Sequence, residues 1–221
     1  EKKYSMDELR GFLRSDFLGH ERVRQEFLND VPKYGNDDDE ADAMARRCGE
    51  DYCIDFKRYT GYRGASFQPG LQSISAHALF GGSLGATPDG RTKQMLVSDG
   101  GVSPAQGRDI CGPTAAMLSV AKLNHLEATN GALLNVKFHP SAVKGERGLE
   151  NLCALTDAFF GLGAQHVQYN VVDSEVLRDA QKHPEKYGDL VVRVAGFSVL
   201  FTTLDTVLQN DIIERTQHNC C

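Results

Sequence analysis

The residue with the most unusual setting in this sequence is Gly196, which interrupts an apolar run near the end of the chain. Residues 190–199 read Leu-Val-Val-Arg-Val-Ala-Gly-Phe-Ser-Val, a pattern typical of a buried strand. A glycine inside such a run weakens the strand, so it usually marks a bulge, a sharp bend or a close approach of another group to the backbone. The remaining alternative is chemistry at the glycine itself, which would have to take place on the backbone.

Gly196 belongs to a motif, and further motifs precede it along the chain. The motif comprises Arg193, Val194, Ala195, Gly196, Phe197 and Ser198, with Leu204-Asp205, Gln209–Ile213 and Arg215-Thr216 after it. The earlier segments are Pro32–Asp39, Ala86–Arg91, Ser98–Pro104, Gly112–Thr114, Asn130–Asn135, Phe138–Pro140, Gln165–Asn170 and His183–Tyr187. In this order and spacing they resemble the glycyl radical enzymes, which include pyruvate formate-lyase, and most closely their dehydratase and C–X lyase branch.

The resemblance implies that Gly196 stores a radical after losing a hydrogen atom from its Cα. The unpaired electron is delocalised onto the flanking amide nitrogen and carbonyl only if the centre flattens, and a Cβ would clash with the backbone as it does so. Dioxygen attacks such a radical and cuts the chain there. We therefore expect Gly196 to be shielded from solvent by its apolar neighbours Val194, Ala195 and Phe197, with Arg193 and Ser198 completing the environment of the loop.

The resemblance also implies partners. In the family an activating enzyme that uses S-adenosylmethionine and a 4Fe-4S cluster installs the radical, and turnover itself needs no cofactor. The stored radical then passes to a cysteine in a Gly-Cys-x-Glu motif, whose glutamate is a general base. Cys48-Gly49-Glu50 has these residue types in the wrong order, and Cys53 and Cys111 lack the motif. We expect a missing N-terminal portion or a partner subunit to carry the thiol, and the complete protein to be a homo-oligomer.

Four polar residues on one predicted strand are candidates for lining a cavity. Side chains alternate between the two faces of a strand, so Gln165, Gln168, Tyr169 and Asn170 would point to both sides. A polar network in the core would give the same pattern, and both interpretations stay open at this point.

Metal binding has weak support in the sequence. The cysteines form no C-x-x-C pair, so no zinc site is expected, and reduced thiols are favoured. The acidic run 37–40 lacks the spacing of an EF-hand and instead suits the start of a helix. The histidines are favoured as hydrogen-bonded structure over acid–base or metal roles; those considered are His77, His125, His139 and His166. Cys220-Cys221 is either an exposed reactive pair or a peculiarity of the tail.

Composition restricts the partners that the protein can have. The net charge of −6 and the pI near 5.6 argue against a nucleic-acid surface. No apolar run approaches the roughly 18–20 residues of a membrane span, and the first residues lack the core of a signal peptide. We therefore expect no nucleic-acid or membrane partner and a cytoplasmic location.

The elements that must position Gly196 follow from periodicity and predict an α/β fold. We expect helices at Ser5–Leu13, Glu21–Leu28, from the acidic run to Cys48, Leu149–Leu162, Ser174–His183 and Asp205–Arg215, the fifth capped by Asp173 or Ser174. Strands are expected at 131–138 and 166–172, so the helix between them predicts a right-handed parallel crossover. The predicted regions are a helical segment 1–60, a glycine-rich irregular region 61–130, and 131–221 with the radical loop and the last helix, residues 61–221 forming one domain.

The resemblance implies that these elements are only part of a larger fold. The family fold is a ten-stranded α/β barrel made of two five-stranded halves, and the loop with the radical glycine enters its centre. The few strands predicted here cannot close such a barrel, so we expect a fragment, a split subunit or a chain that needs a partner to cover its sheet edges.

Three functions are consistent with these features. The first is the radical-storing C-terminal portion of a lyase or dehydratase that cleaves a C–O, C–N or C–C bond of a small substrate under anaerobic conditions. The second is a non-catalytic spare part that repairs an oxygen-cleaved enzyme. The third is an interaction domain of the same fold in which Gly196 is never activated.

Overall fold

The computed structural model describes residues 3–218, which divide into two compact units. One unit combines Glu1–Pro32 with Ala76–Val97, and the other combines Lys33–Ser75 with Ser98–Cys221. The α-helices of the described range are α1 (Met6–Arg14), α2 (Glu21–Asn29), α3 (Asp39–Lys57), α4 (Ala76–Ser83), α5 (Gly112–Ala121), α6 (Gly145–Gly161), α7 (Ser174–Lys182) and α8 (Thr206–Glu214). Its strands are β1 (Leu134–Phe138), β2 (Val167–Val171), β3 (Val191–Arg193), β4 (Ser198–Leu200) and β5 (Gln217–His218). None of these helices is long and apolar enough to cross a bilayer.

The first unit contains α1, α2 and α4. Ser5 caps α1 in a reciprocal arrangement: its hydroxyl accepts from the Glu8 amide, and the Glu8 carboxylate accepts from the Ser5 amide. The predicted α1 and α2 are therefore present. Helix α4 was not predicted, because its sequence lies in the stretch rich in glycine and serine. The division of the chain at residues 60 and 130 stays a prediction.

In the second unit, a parallel sheet has the strand order β2-β1-β5. Strands β1 and β2 pair in parallel from Leu134↔Val167 to Phe138↔Val171, with α6 between them in sequence, so the predicted strand–helix–strand unit is confirmed. Strand β1 begins later than predicted, because residues 132 and 133 instead form isolated bridges to Leu71 and Gly101. Strand β5 and helix α5 were not predicted.

The two faces of this sheet differ in chemistry. One face packs an apolar core against α5 and α6; its members include Leu134, Val136, Phe138, Val167, Tyr169, Met117, Val120, Leu152, Leu155 and Phe159. The other face presents Asn135 and Lys137 from β1, and Gln168 and Asn170 from β2. Three of these four residues are at most 5% exposed, Asn135 being half-buried, so the polar face is covered by protein rather than by solvent.

The run 190–199 has the expected strand character on both sides of Gly196 but is not one continuous strand. It forms an antiparallel hairpin in which β3 pairs with β4, from Val191↔Leu200 to Arg193↔Ser198. Gly196 has φ +90°, a left-handed conformation that is not extended and that favours glycine. The chain therefore reverses direction at Gly196, so the sharp bend that a glycine inside such a run usually marks is present.

A second apolar cluster lies beside the hairpin. Val192, Val194 and Phe201 are at most 2% exposed and pack with Leu177 of α7 and Ile212 of α8. Asp173 caps α7 and Asp205 caps α8, each accepting from a backbone amide in the first turn. These two predicted helices are present, and with the hairpin they form the layer over the polar face of the sheet.

Two of the motifs found in the sequence meet in the second unit. Gly35 has φ +100°, and a Cβ added there would lie 2.6 Å from the Cβ of Pro104. The Tyr34 hydroxyl donates to the Val102 carbonyl at 2.9 Å. Glycine at position 35 therefore permits a close approach between the segments 32–39 and 98–104, and this pair of motifs has a structural explanation.

Candidate functional site

Gly196 lies at the tip of the β3–β4 hairpin. The Val194 amide donates to the Phe197 carbonyl at 3.0 Å, so Ala195 and Gly196 are the two residues of the turn. Among the described residues, a Cβ added at Gly196 would meet only Leu133 Cδ1, at 3.7 Å. The requirement for glycine in this conformation therefore comes from its positive φ rather than from a lack of space.

The amide of Gly196 is held by a side chain of the sheet. Gln168 Oε1 accepts from the Gly196 N–H at 3.2 Å and from Arg193 Nε at 2.9 Å. Arg193 Nη1 in turn donates to Ser198 Oγ at 3.1 Å, across the two strands. Gln168 thus connects the tip of the hairpin to β2.

The base of the turn is fixed by a second side chain of β2. Asn170 Oδ1 accepts from the backbone N–H of Arg193 at 2.8 Å, and Asn170 Nδ2 donates to the Arg193 carbonyl at 2.7 Å. This amide therefore pairs with Arg193 as a neighbouring strand would. Because both contacts are to the backbone, they set the position of the hairpin whatever side chain stands at 193.

A buried ionic cluster holds the carbonyl of Val194, the residue that follows Arg193. Arg215 Nη1 donates to the Val194 carbonyl at 2.9 Å, and Asn135 Nδ2 donates to the same oxygen at 3.2 Å. The guanidinium also contacts Asp211 at 2.7 Å and Asp99 at 3.2 Å. All three charged side chains are at most 6% exposed, so the guanidinium and its two carboxylates depend on one another for charge compensation.

The cluster extends into a small polar cavity next to β1. The cavity has a volume of about 20 Å³, and its lining includes Asp99, Gln106, Asp109, Asn135, Lys137 and His218. Gln106 donates to Asp211, and Thr216 donates to Asp109. The loop 98–109 and the C-terminal end of α8 are thereby joined behind the hairpin.

Lys137 places a buried cation on the polar face of the sheet. Its Nζ donates to the carbonyls of Ile212 and Ile213, at 3.2 and 2.8 Å, and to Ser174 Oγ at 3.1 Å. Burial, with the positive charge of Arg215 as the next cause, lowers the pKa of Lys137 to about 8. Lys137 thus binds the last carbonyls of α8, a position that the helix dipole favours for a cation.

The expected shielding of Gly196 is wrong for the described part of the chain. Val194 and Ala195 are fully buried, but Gly196 is exposed and Phe197 is 38% exposed. The sheet and the ionic cluster contact the inner side of the hairpin, while its outer side has no cover within the described residues. Shielding would therefore have to come from protein outside them.

The predicted cavity residues do not come together as one lining. Gln168 and Asn170 both contact the hairpin, whereas Gln165 lies exposed before β2. The Tyr169 hydroxyl lies 2.8 Å from Thr156 Oγ1 of α6, on the opposite face of the sheet, where burial raises its pKa. For Gln168 and Asn170 the structure matches the alternative of a polar network in the core.

Sequence reasoning missed the residues that hold the hairpin from behind, Asp99, Asn135, Asp211 and Arg215. All four occur in segments that carry the family resemblance, but no role followed from their spacing. The available signal was Asp211 beside Ile212 and Ile213, a carboxylate at a position where α8 buries an apolar side.

The other candidate groups have structural partners. Asp38 caps α3, and Lys122 contacts Asp37, Asp39 and Asp42 at 2.7–2.9 Å. The described residues contain no cluster of three or more His, Cys, Asp or Glu side chains that would hold a metal ion.

The histidines considered above also differ in environment. Buried His125 bonds the Val120 carbonyl, and burial lowers its pKa. His139 contacts Ser141 and Asp173 at 2.6 and 3.3 Å. His77 is fully buried and His166 is half-buried.

The described cysteines are all free thiols, with Cys53 buried and Cys48, Cys111 and Cys153 exposed. The prediction for Cys220-Cys221 lies outside the described residues.

Comparison with family models gives two matches that follow one another along the chain. Residues 1–81 match the "pyruvate formate lyase-like" model, and residues 98–202 match the "glycine radical" model. The second match contains the hairpin and, of the side chains described above as hydrogen-bonded to it, all but that of Arg215.

The chain is also similar to proteins that are named as dehydratases. The chain is 42% identical to trans-4-hydroxy-L-proline dehydratase of Clostridioides difficile over 98% of its own length and 27% of the relative. It is 41% identical to (2S)-3-sulfopropanediol dehydratase of Klebsiella oxytoca, with 98% and 27% covered. The glycerol-bound B12-independent glycerol dehydratase of Clostridium butyricum superposes with a TM-score of 0.96 at 50% identity, over 99% of this chain and 28% of that structure.

These comparisons confirm the predicted fold class, an α/β part of a barrel of the glycyl radical enzyme type. The chain spans little more than a quarter of the length of the relatives that it matches.

Proposed function

This chain belongs to the glycyl radical enzyme family, and we propose that it is the radical-storing C-terminal portion or subunit of a dehydratase or lyase, with Gly196 as the storage residue. The observation that carries the proposal is the setting of Gly196: a glycine at a hairpin tip, with φ +90° and its N–H held by Gln168. The similarity of the chain to dehydratases and lyases supports the reaction class.

The chemistry assigned to Gly196 is the loss and recovery of one hydrogen atom. Homolysis of its Cα–H bond sends the hydrogen, with one electron, to a radical generated from S-adenosylmethionine by an activating enzyme with a 4Fe-4S cluster. The remaining electron is shared between the amide nitrogen and the carbonyl of the same residue, and no charge is created. Because glycine has no Cβ, the Cα flattens without a steric penalty.

The stored radical is used through a thiol that the described residues do not place near Gly196. In the proposal, the radical at Gly196 takes a hydrogen atom from the cysteine of a Gly-Cys-x-Glu motif in the missing portion or partner chain. The resulting thiyl radical starts cleavage of a C–O, C–N or C–C bond in a small substrate, and the reverse transfer restores the Gly196 radical after turnover. No cofactor enters these steps on this chain.

The exposed outer side of the hairpin supports the proposal that further protein packs against this chain. Phe197, Leu200 and Val191 are 36–58% exposed along it. Apolar side chains grouped in this way next to a radical site suit burial by further protein. We propose that the missing portion covers Gly196 and thereby supplies the shielding from dioxygen and water.

A spare-part protein is the second candidate, and one observation weighs against it. Such a protein needs to resemble only the radical domain, whereas residues 1–81 here match the pyruvate formate lyase-like model. The two candidates are separated by adding the chain to an enzyme truncated after its Gly-Cys-x-Glu motif. A spare-part protein restores activity to a truncated enzyme of another kind, whereas a subunit restores activity only to its own missing portion.

The decisive test of radical storage is electron paramagnetic resonance. The chain, its missing portion, an activating enzyme, S-adenosylmethionine and a reductant are incubated without oxygen, and the spectrum is recorded. We expect a glycyl signal whose splitting collapses when the glycines carry deuterium at Cα, and no signal from Gly196→Ala. A parent protein without the signal, or a Gly196→Ala variant that keeps it, would contradict the assignment and would favour the interaction-domain alternative.

A further inference from the structure

The side chain with the most direct influence on Gly196 is Gln168, which no step of the proposed reaction uses. It is the second residue of β2, lies opposite Asn135 in the register, and is 4% exposed. Its Oε1 accepts two hydrogen bonds, from the Gly196 N–H at 3.2 Å and from Arg193 Nε at 2.9 Å. Because both partners are donors, they determine which end of the amide faces the hairpin.

The other end of the same amide shows that stability alone does not explain this residue. Gln168 Nε2 is buried and has no hydrogen-bond partner among residues 3–218. A buried donor without a partner costs about 1–3 kcal/mol, which offsets part of the stability that the two hydrogen bonds at Oε1 contribute. What only a polar side chain provides here is an acceptor for the Gly196 amide and for Arg193 Nε.

We propose that Gln168 is a positioning residue for radical storage: its Oε1 fixes the peptide plane at Gly196 and directs electron density from the amide nitrogen towards the Cα. The inference rests on the proposed function. A hydrogen bond accepted from an N–H makes the nitrogen a better electron donor, and the electron-poor Cα radical gains from that donation. Fixing the peptide plane also keeps the nitrogen orbital aligned with the orbital of the unpaired electron.

A neutral acceptor suits this task better than a carboxylate. Removal of a hydrogen atom leaves the charge of Gly196 unchanged, so the same neutral oxygen serves the residue before and after activation. Arg193 is held in place by Gln168 Oε1, by Ser198 Oγ and, through its backbone, by Asn170. A glutamate at 168 would pair ionically with Arg193 and would present a more strongly accepting oxygen to Gly196.

The test compares variants in the activated complex of this chain with its missing portion. Gln168→Met keeps the length of the side chain and removes the acceptor, Gln168→Glu strengthens the acceptor, and Gln165→Met is the matched control at an exposed glutamine. The measurements are the nitrogen and hydrogen splittings of the glycyl signal, its lifetime without oxygen, and the unfolding midpoint of each variant.

We expect Gln168→Met to change the nitrogen splitting and to shorten the lifetime of the radical at least tenfold while the protein stays folded. Gln168→Glu should shift the splitting in the opposite direction, and Gln165→Met should match the parent. A folded Gln168→Met variant with the spectrum and lifetime of the parent would overturn the inference and leave radical storage intact. If the Gln168→Met variant does not fold, the Gln168→Glu variant decides, because an unchanged splitting there overturns the inference equally. A parent without a glycyl signal removes the proposed function, and the inference with it.

Discussion

The two faces of the β1–β2 sheet are built from the same two strands but are held by different interactions. The face towards α6 is held by apolar packing around Phe138 and Phe159, where shape matters and direction matters little. The face towards the hairpin is held by hydrogen bonds between the side chains of Asn135, Gln168 and Asn170 and particular backbone atoms of residues 193–196: Asn135 donates to the Val194 carbonyl, while Gln168 and Asn170 accept from the amides of Gly196 and Arg193. The comparison indicates that one face stabilises the fold, while the other sets the geometry of Gly196 and accepts buried polar groups to do so.

The largest effect is expected on the polar side, from Arg215→Met. This change removes the guanidinium that contacts the buried Asp99 and Asp211 carboxylates, and it removes a donor from the Val194 carbonyl. We expect a loss of about 4–5 kcal/mol in the free energy of unfolding, measured with urea, and a disordered hairpin. Arg215→Lys should lose less free energy of unfolding, since lysine keeps the positive charge but lacks the planar guanidinium and its fixed set of donors. An Arg215→Met variant within about 1 kcal/mol of the parent would show that the cluster does not hold the hairpin.

On the apolar side, Phe159→Ala should lower the free energy of unfolding by about 3–4 kcal/mol, because Phe159 is 2% exposed and its removal leaves a cavity. The comparison of the two faces predicts that the hydrogen bonds at Gly196 survive this loss. The activated Phe159→Ala variant should therefore show the glycyl spectrum of the parent, recorded below its unfolding temperature. An altered splitting would mean that the two faces are not independent.

A smaller loss is expected from Asn170→Ala, which leaves the N–H and the carbonyl of Arg193 without the side chain that pairs them. The expected cost is about 1–3 kcal/mol, together with faster hydrogen exchange at the Arg193 amide. Tyr169→Phe is the matched change on the other face: it removes the contact to Thr156 and should leave exchange at Arg193 as it is. Equal exchange rates in the two variants would count against the anchoring role of Asn170.

The smallest effect is the pH dependence that Lys137 contributes. Burial lowers its pKa to about 8 from an ordinary value near 10.5, so between these two values the unfolded chain binds more protons than the folded one. Stability contributed through this group therefore rises with pH across that window, by at most about 1.4 kcal/mol per pH unit, and is constant below it.

The check is the free energy of unfolding at pH 8 and pH 9.5 in the parent and in Lys137→Met. The parent should gain about 1–2 kcal/mol more than the variant over this interval. Parallel profiles would show that Lys137 keeps an ordinary pKa in the folded protein.

Local signals in the sequence predicted helices and strands, but not the contacts between them. The helices α1, α7 and α8 followed from periodicity, and for α1 and α7 also from the capping residues Ser5 and Asp173, because these signals are local. Strands β1 and β2 followed from their apolar alternation. What alternation does not reveal is whether a polar face meets water or another part of the protein, so the contacts of Gln168 and Asn170 with the hairpin were not predicted.

The hairpin shows the other limit. The apolar run predicts burial of Val192 and Val194, and its glycine indicates a bend; the structure has both, but the sequence does not reveal which groups hold the turn. The reversal depends on Gly196 at positive φ and on Arg215, a residue that reaches Val194 only in the folded chain. Long-range partners of this kind carry no local pattern, which is why Asp99 and Arg215 were found in the structure alone.

The most direct measurement of the central claim is the site at which oxygen cuts the activated protein. After anaerobic activation in the complete enzyme, the sample is exposed to air and the fragments are identified by mass spectrometry. If Gly196 stores the radical, the chain is cut at that residue and a C-terminal piece that begins at Phe197 is released, while Gly196→Ala stays whole. An activated protein that survives air uncut, or that is cut at another glycine, would contradict the account.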